Sequence, residues 1–213
     1  MAGKLAVNPT RMELLKLRRK LAVAVRGHKL LKDKLEGLTR EFRGVAELYR
    51  RSRREVDDEL PGVLKLFVLA QAASSSRIVE DALEGCRRSL EVEPGQKRIM
   101  GVAVPALNVT MGEPEGLYSL VLTPPELDGA IERLRGFLPK LVAMAQLEET
   151  VRLLCIEIER TRRRVNALEH TFIPRMTETI RFITGKLDEM ERSNTTRLMK
   201  IKAARLAQEP EGL

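Results

Sequence analysis

The sequence has few of the residues that fill wide protein cores. It contains no Trp, two Tyr and five Phe, so aromatic residues make up 3% of the chain, whereas charged residues make up 32%. A wide core usually depends on bulky aromatic side chains, which bury a large apolar area. The composition therefore argues against an ordinary globular domain and favours long helices that pack along a narrow seam.

Cysteine and histidine are equally scarce, with two residues of each. Cys86 and Cys155 match no metal-ligand or redox spacing, and His28 and His170 form no H-x-x-x-H pair. A phosphate-binding loop is also missing, because the Gly-Lys pair at 185–186 has neither the preceding glycine nor the following hydroxyl of that motif. We therefore predict no catalytic residues, no metal site and no cofactor.

Long apolar runs are absent as well. The stretch MAGKLAVNPT at 1–10 does not resemble a signal peptide. The most apolar run, at 63–73, contains Lys65 and is far shorter than the roughly 20 residues that cross a bilayer. We therefore expect a cytosolic protein with free thiols that does not insert into a membrane by itself.

Positive charge is what the chain has in excess, with 38 Lys and Arg against 30 Asp and Glu. Most of the excess lies in residues 10–60, which hold 15 basic and 9 acidic residues. Two arginine clusters stand out, RRSRR at 50–54 and RTRRR at 160–164. Such a surface can bind nucleic-acid phosphates or acidic patches on a protein, and charge alone does not decide between them.

The strongest pattern is a heptad repeat of apolar residues near the N-terminus, held for about six repeats. Its positions are Leu14, Leu17, Leu21, Ala24, His28, Leu31, Leu35, Leu38, Phe42, Val45, Tyr49, Ser52 and Val56, with His28 and Ser52 as the main polar interruptions. We predict a helix that Asn8 or Thr10 caps, with Glu13 at the capping-box position when Thr10 is the cap. We expect it to end or bend near Pro61.

A second heptad repeat lies in the C-terminal part, and its phase shifts by one residue at Pro174. The members before the shift are Met144, Leu147, Val151, Leu154, Ile158, Thr161, Val165, Leu168 and Phe172. The members after it are Met176, Ile180, Ile183, Leu187 and Met190, and a second slip leads through Asn194 to Leu198 and Ile201. Proline lacks an N–H and crowds the preceding turn, so we predict that Pro174 bends the helix and keeps the apolar stripe facing its partner.

Two heptad helices at opposite ends of one chain most economically form an antiparallel pair. We therefore predict a mainly α fold, a long bent antiparallel two-helix coiled coil with a small knob in the middle. The predicted regions are an N-terminal helix at 1–60, a middle region at 61–125, and a C-terminal helix with a short tail at 126–213. If residue 14 lies near residue 201, the two arginine clusters form one basic collar, either a solvated face or a docking ring for an acidic partner.

The middle region indicates a helix followed by a short β-hairpin at about 98–122. We predict a turn in EPGQ at 93–96 and then two strands, one in RIMGVAVPALNV and one in LYSLVL, separated by TMGEPEG. The residues that we assign to the hairpin are Met100, Gly101, Val102, Tyr118 and Leu120. The Thr and Pro residues of TPPEL then mark the entry to the next helix.

Four stretches of the sequence closely resemble the D subunit of the V-type and archaeal A-type rotary ATPases. They are VNPTRMELLKLRRKL, RGHKLLKDKL, MGVAVP and RRVNALEHTFIPRMTETIRFITGKLDEMERSNTTRLMKIK, in that order. The resemblance implies a non-catalytic central rotor shaft whose termini insert into a ring of three catalytic and three regulatory subunits. It also implies a small central-stalk partner, the F subunit, on the lower shaft, a funnel-shaped subunit on the membrane ion ring at the knob end, and a cytoplasmic location peripheral to the membrane.

The resemblance also gives the charged residues a purpose. Contacts of the shaft tip with the catalytic head would come from Thr10, Arg11, Lys16, Arg18, Arg19, Lys20, Arg197, Lys200 and Lys202. Contacts with the F subunit or the lower head would come from Arg50, Arg51, Arg53, Arg54, Arg160, Arg162, Arg163 and Arg164. Pro174 would make the shaft asymmetric towards the three catalytic sites, or its bend would merely optimise coiled-coil packing.

The alternative from another functional class is a basic coiled-coil module that binds RNA or DNA. Such a module shows steep salt dependence, because its binding rests on phosphate contacts. Against it, aromatic residues for base stacking are nearly absent and acidic residues are interleaved with the basic ones. We therefore expect protein partners and no nucleic acid, while an independent homo-oligomeric coiled coil stays conceivable.

Overall fold

The computed structural model describes residues 7–85, 90–112 and 123–208. Its elements in chain order are α1 (Arg11–Ala73), α2 (Ser76–Gly85), β1 (Leu90–Ile99), β2 (Val102–Met111), α3 (Pro125–Ala167), a π-helical turn (Leu168–Phe172) and α4 (Ile173–Gln208). The prediction of a mainly α fold with long terminal helices and a small hairpin between them is confirmed. The chain divides into two compact units, residues 1–35 with 160–213, and residues 36–159.

In the first unit, the start of α1 packs against α4. Leu17, Met176 and Ile183 form a buried cluster, against which Leu14 and Leu187 also pack. Thr10 caps α1 as predicted, because its Oγ1 accepts a hydrogen bond of 3.2 Å from the Glu13 N–H. The Glu13 carboxylate does not complete a capping box, because the Thr10 N–H donates to the Asn8 carbonyl at 2.9 Å. Glu13 accepts a bond of 2.9 Å from Lys16 Nζ instead.

The register of this helix pair differs from our expectation. Arg11 forms an ion pair with Glu191, and His28 Nε2 lies 3.3 Å from Glu169 Oε2, so the α4 numbering falls as α1 advances. The helices are therefore antiparallel, as predicted. The placement of residue 14 near residue 201 is wrong, because Leu14 packs near Leu187. The predicted basic collar assumed that residue 14 lies near residue 201, so this argument for it no longer holds.

In the second unit, the rest of α1 packs against α2 and α3. One buried cluster joins Val56 and Val63 of α1 to Phe137 of α3. A second cluster comprises Ala70, Val79, Ala82 and Leu127. The apolar side chains of α2 thus cover the end of α1 and the start of α3.

Helix α1 does not end at Pro61, and the bend that we expected there as the alternative stays a prediction. The helix runs to Ala73, and its heptad seam continues through Leu60, Val63, Phe67 and Ala70. Pro61 itself is exposed, so it lies on the solvent side of the helix. Water can hydrate a backbone carbonyl that loses its N–H partner on that side, and the helix therefore tolerates the proline.

The hairpin lies earlier in the chain than predicted. Its strands pair antiparallel, from Ile99 opposite Val102 to Leu90 opposite Met111. The turn is Met100–Gly101, with φ of 49° and 84°, and two positive φ values are the signature of a type I′ turn. The predicted strand at 117–122, with Tyr118 and Leu120, lies outside the described residues.

The predicted turn at 93–96 is also wrong, because these residues belong to β1. Pairs in an antiparallel hairpin alternate between hydrogen-bonded and non-hydrogen-bonded, starting with a hydrogen-bonded pair beside a two-residue loop. Counting from Ile99 and Val102, the pair Pro94–Leu107 is non-hydrogen-bonded. Pro94 thus needs no N–H towards β2, and a strand accepts proline at such an outward position.

Candidate functional site

The predicted head-contact residues lie at two places on the first unit. Six of them are on the first turns of α1 or cap it: Thr10, Arg11, Lys16, Arg18, Arg19 and Lys20. The other three, Arg197, Lys200 and Lys202, are exposed on α4 beyond Glu191. At 1.5 Å per residue, Lys200 lies about 14 Å past Glu191 along the helix. The structure therefore does not bring the two groups side by side.

The last part of α4 is exposed along its whole described surface. All side chains from residue 188 to residue 205 are exposed, and we call this segment the α4 tail. Met190, Leu198 and Ile201, which we placed on the seam, are 54%, 66% and 45% exposed. That placement is wrong, because Glu191 already pairs with the first residue of α1 and the tail continues past the start of that helix.

The α4 tail combines apolar and basic side chains. Leu198, Met199 and Ile201 are exposed beside Arg197 and Lys200. Exposed apolar residues that cluster on a helix with polar neighbours mark a surface for protein contact. Our sequence reasoning selected the basic residues of the tail as candidate contacts and did not select Leu198 and Met199, which are exposed beside them. A heptad stripe that outruns its partner helix was the available signal.

A π-helical turn realises the one-residue phase shift of the second heptad repeat. The Ile173 N–H donates to the Leu168 carbonyl, five residues earlier, so the turn contains one more residue than an α-helical turn. We predicted that Phe172 lies on the seam, but its side chain is 44% exposed and lies off it. Ile173 is half-buried in its place, and the seam continues with Met176, which is 2% exposed.

Pro174 directly follows the π-helical turn as the second residue of α4. The phase shift therefore precedes Pro174. A proline near a widened turn is well placed, because the turn has already displaced the carbonyls that its ring would crowd. The bend that we assigned to Pro174 stays a prediction.

Two side chains connect the π-helical turn to α1. His28 lies on the α1 seam with its side chain 21% exposed, and its Nε2 is 3.3 Å from Oε2 of Glu169 within the turn. His28 thus occupies a seam position, where a polar residue helps to set register. His170 is exposed, as expected for the outer face.

The two arginine clusters belong to different compact units. Arg50, Arg51, Arg53 and Arg54 are exposed on α1 of the second unit, and Arg160, Arg162, Arg163 and Arg164 are exposed on α3 of the first. Arg53 Nε donates to both Asp57 oxygens at 3.0 and 3.1 Å, and this hydrogen bonding raises the pKa of Arg53. Within its own unit, each cluster is an exposed basic surface.

Many of the carboxylates pair with neighbouring basic residues on the same helix. Arg152 Nε donates to Glu149 at 2.6 Å, and the hydrogen bond from Arg152 lowers the pKa of Glu149. Lys186 likewise donates to Glu189 at 2.8 Å and lowers the pKa of Glu189. Between helices, Lys140 Nζ donates to Glu59 at 2.7 Å. These pairs are exposed, so each contributes little to stability.

The described ranges 7–85, 90–112 and 123–208 contain no group of three His, Cys, Asp or Glu side chains that could hold a metal ion. In the same ranges, no single helix is long and apolar enough to cross a bilayer. Only α1 and α2 taken together, which meet at a 120° bend, reach that length and composition.

Known proteins resemble this chain over almost its whole length. The model of the family described as the D subunit of ATP synthase matches residues 13–203. The V-type ATP synthase D subunit of Clostridium botulinum strain Langeland is 48% identical over 205 residues, which cover 94% of this chain and 95% of that protein. The protein of the same name from Thermoanaerobacter sp. strain X514 is 46% identical over 198 residues, 92% and 95% of the two chains. The chain belongs to the family of ATP synthase D subunits.

Proposed function

We propose that this chain is the central rotor shaft of a V-type or archaeal A-type rotary ATPase. In this role it is a non-catalytic subunit that transmits torque between ATP hydrolysis or synthesis in the catalytic head and ion translocation by the membrane ring. The single observation that carries the proposal is the α4 tail, a helical segment that extends past the start of α1 with all of its described side chains exposed. The relatives, which are named as D subunits of V-type ATP synthase, support the same assignment.

The helices of this chain suit the transmission of torque. Helix α1 is continuous for 63 residues, and its ladder of backbone hydrogen bonds is interrupted at Pro61, which has no N–H. Its seam residues pack against α4 in the first unit and against α3 in the second. A helix paired along its seam resists twisting and bending better than a single helix, because side-chain packing opposes both movements.

The proposed partners of the α4 tail are the three catalytic and three regulatory subunits of the head. Leu198, Met199 and Ile201 supply apolar contact, and Arg197, Lys200 and Lys202 supply charge. A rotating shaft must exchange partners three times in each turn. Solvent-screened charge pairs suit this exchange, because each is worth only about 0 to 1 kcal/mol. Thr10 and the basic residues that start α1 would contact the lower part of the same ring.

The two arginine clusters are the proposed contacts of the F subunit or of the lower rim of the head. Both clusters are exposed, and an acidic partner surface would complement either of them. The funnel-shaped subunit over the ion ring is the proposed partner of the second unit, which includes α2. The chain would then be cytoplasmic and peripheral to the membrane.

Native mass spectrometry tests the proposal directly. The full chain is mixed with the catalytic, regulatory and F subunits of the same organism. We expect one copy of this chain for every three catalytic and three regulatory subunits. A variant that ends after Glu191 keeps the ion pair with Arg11 but lacks the end of the tail, and we expect it to lose the head while it retains the F subunit. Failure of the full chain to bind the head, together with salt-sensitive binding to RNA or DNA, would support the nucleic-acid alternative instead.

The role of Pro174 requires a separate experiment. Pro174→Ala restores an N–H and removes the ring, so it favours a straighter helix. If Pro174 supplies functional asymmetry, the assembled motor with this substitution pumps fewer ions for each ATP hydrolysed. Unchanged coupling together with a changed melting temperature would assign Pro174 to helix packing alone.

A further inference from the structure

Each strand of the β-hairpin has an outer edge, and a proline lies on each of these edges. Hydrogen-bonded and non-hydrogen-bonded pairs alternate along an antiparallel ladder, and the backbone groups of a non-hydrogen-bonded pair point outward. Counted from the turn, the pairs Pro94–Leu107 and Gln96–Pro105 are both non-hydrogen-bonded. The Leu107 N–H agrees with this alternation, because it donates to Gln146 on α3 and not to β1. Pro94 and Pro105 therefore both occupy outward positions.

The two edges differ in their surroundings. On β2, Pro105 and Leu107 are half-buried, and the hydrogen bond of 2.7 Å to Gln146 ties this edge to α3. On β1, every residue from Leu90 to Arg98 is exposed. Among the described residues the sheet has two strands, so none of them pairs with the outer edge of β1. The β1 edge is thus the one that a strand of another molecule can reach.

Pro94 lies in the middle of the β1 edge. The residues of β1 whose backbone groups point outward are Leu90, Val92, Pro94, Gln96 and Arg98. Every antiparallel register that pairs three or more of these residues with a second copy of β1 includes Pro94, because it is the central one. Proline supplies no N–H, and its ring fills the space that the hydrogen bond needs. When Pro94 lies opposite its own copy, both bonds of the central pair are missing.

Apart from this proline, the β1 edge is complementary to itself. A long exposed edge is a ready template for pairing with another chain. In the antiparallel register centred on residue 94, Glu91 lies opposite Lys97 of the second copy, and Lys97 lies opposite the other Glu91. Opposite charges that face each other across two strands stabilise the pair. The charged residues of β1 therefore favour this pairing, and Pro94 is the feature that opposes it.

We propose that Pro94 closes the β1 edge to a second copy of this chain. A residue with an N–H at position 94 opens the edge, and two chains then join β1 to β1 in one four-stranded antiparallel sheet. The inference concerns the free chain. It is independent of the proposed rotor function and stands if that function is wrong.

Sedimentation equilibrium of the full-length chain tests the proposal with a matched pair of variants. Pro94→Val and Gln96→Val place the same side chain on the same face of β1, but only Pro94→Val adds an N–H to the edge. We expect the mass of Pro94→Val to double as its concentration rises. The unmodified chain and Gln96→Val should keep the mass of one chain. A Pro94→Val variant that stays at the mass of one chain, or an equal rise in Gln96→Val, would overturn the proposal.

Hydrogen exchange locates the contact between the two copies. In Pro94→Val, the outward amides of Val92 and Gln96 should exchange at least about fivefold more slowly than in the unmodified chain, since one net hydrogen bond gives about that protection. The inward amides of Glu93 and Lys97 should keep their protection, which shows that the hairpin is folded. A doubled mass with unprotected outward amides would place the contact elsewhere and contradict the proposal. Protected outward amides in the unmodified chain would contradict it as well.

A charge exchange tests the register. Adding Lys97→Glu to Pro94→Val places like charges opposite each other at Glu91, so we expect the doubled mass to be lost. Adding Glu91→Lys as well restores opposite charges in reverse order, and the doubled mass should return. If the doubled mass does not respond to either charge change, β1 does not pair with its copy as proposed.

Discussion

Two isoleucines on α4 should respond in opposite ways to truncation, because one is buried and the other is exposed. Ile183 is 0% exposed and packs with Leu17 and Met176, whereas Ile201 is 45% exposed in the α4 tail. The substitutions Ile183→Ala and Ile201→Ala remove the same atoms from the same helix. Any difference in their effects therefore reports the environment of the two side chains.

The expected magnitudes follow from burial. Truncating a buried isoleucine to alanine destabilises a protein by about 2 to 5 kcal/mol, because transfer energy is lost and a cavity remains. Surface substitutions usually change stability by less than about 0.5 kcal/mol. For head binding the order reverses. If a partner covers the exposed 45% of Ile201, that burial contributes about 1 kcal/mol, and Ile201→Ala weakens binding about fivefold.

Urea unfolding followed by circular dichroism measures the first effect, and titration with the assembled head subunits measures the second. With a slope near about 2 kcal/mol per molar urea, Ile183→Ala lowers the midpoint of its transition by about 1 M or more. Ile201→Ala should leave the midpoint unchanged within error. If Ile201→Ala destabilised the chain as much as Ile183→Ala, the α4 tail would be packed within the folded chain. The reasoning about its free surface would then be refuted.

Three further predictions concern helix geometry, capping and pH. Deleting Thr171 should convert the π-helical turn into an α-helical turn and leave the melting temperature unchanged, because Ile173, Met176 and Ile183 then follow Leu168 in regular heptad steps. Deleting Arg181 is the control: it rotates the rest of α4 by about 100° and should lower the melting temperature, because it destabilises the first unit. Thr10→Ala should lower the free energy of unfolding by about 0.5 to 2 kcal/mol in urea titrations, because it removes the N-cap hydrogen bond. Thr196→Ala is the control and should change the free energy of unfolding little, because the Thr196 hydroxyl bonds to the Arg192 carbonyl of its own helix. Arg152 lowers the folded-state pKa of Glu149, so the unfolded state binds more protons as the pH falls below 4.5, the ordinary pKa of Glu, and stability declines there. Glu149→Gln should therefore flatten the plot of melting temperature against pH in this range. An unchanged slope would count against a stabilising pair of Glu149 with Arg152.

The heptad pattern predicted the first seam well and its register poorly, and one physical property explains both results. Every residue that we placed on the first seam, from Leu14 to Val56, is buried or half-buried. A heptad repeat, however, looks the same after a shift of seven residues, so every seam residue still meets a seam residue. In the structure Leu14 and Leu187 pack against the same cluster, and Leu187 lies two heptads before residue 201. Specific pairs such as Arg11 with Glu191 distinguish these registers, and periodicity does not contain them.

We misplaced the hairpin because the Pro-Gly pair at 94–95 lies within a strand and the Met-Gly pair at 100–101 forms the turn. A Pro-Gly pair usually marks a turn, but Pro94 lies at a strand position whose N–H would point away from the partner strand. A Met-Gly pair rarely marks a type I′ turn, but the Met100 side chain has a tertiary contact with Gly37. Both signals depend on pairing or packing with distant residues. A local sequence pattern does not include that information.

The error in register and the proposed functional surface have the same origin. Had Leu14 met residue 201, α1 would cover Leu198 and Ile201, and those residues would stabilise the helix pair. With Arg11 opposite Glu191, the same residues remain exposed on a helix that has no neighbour in the described chain. The heptad pattern of the α4 tail is therefore apolar enough to pack, yet the structure leaves it uncovered. A tail with that pattern suits contacts with another protein, and its charged residues suit contacts that must be broken and remade.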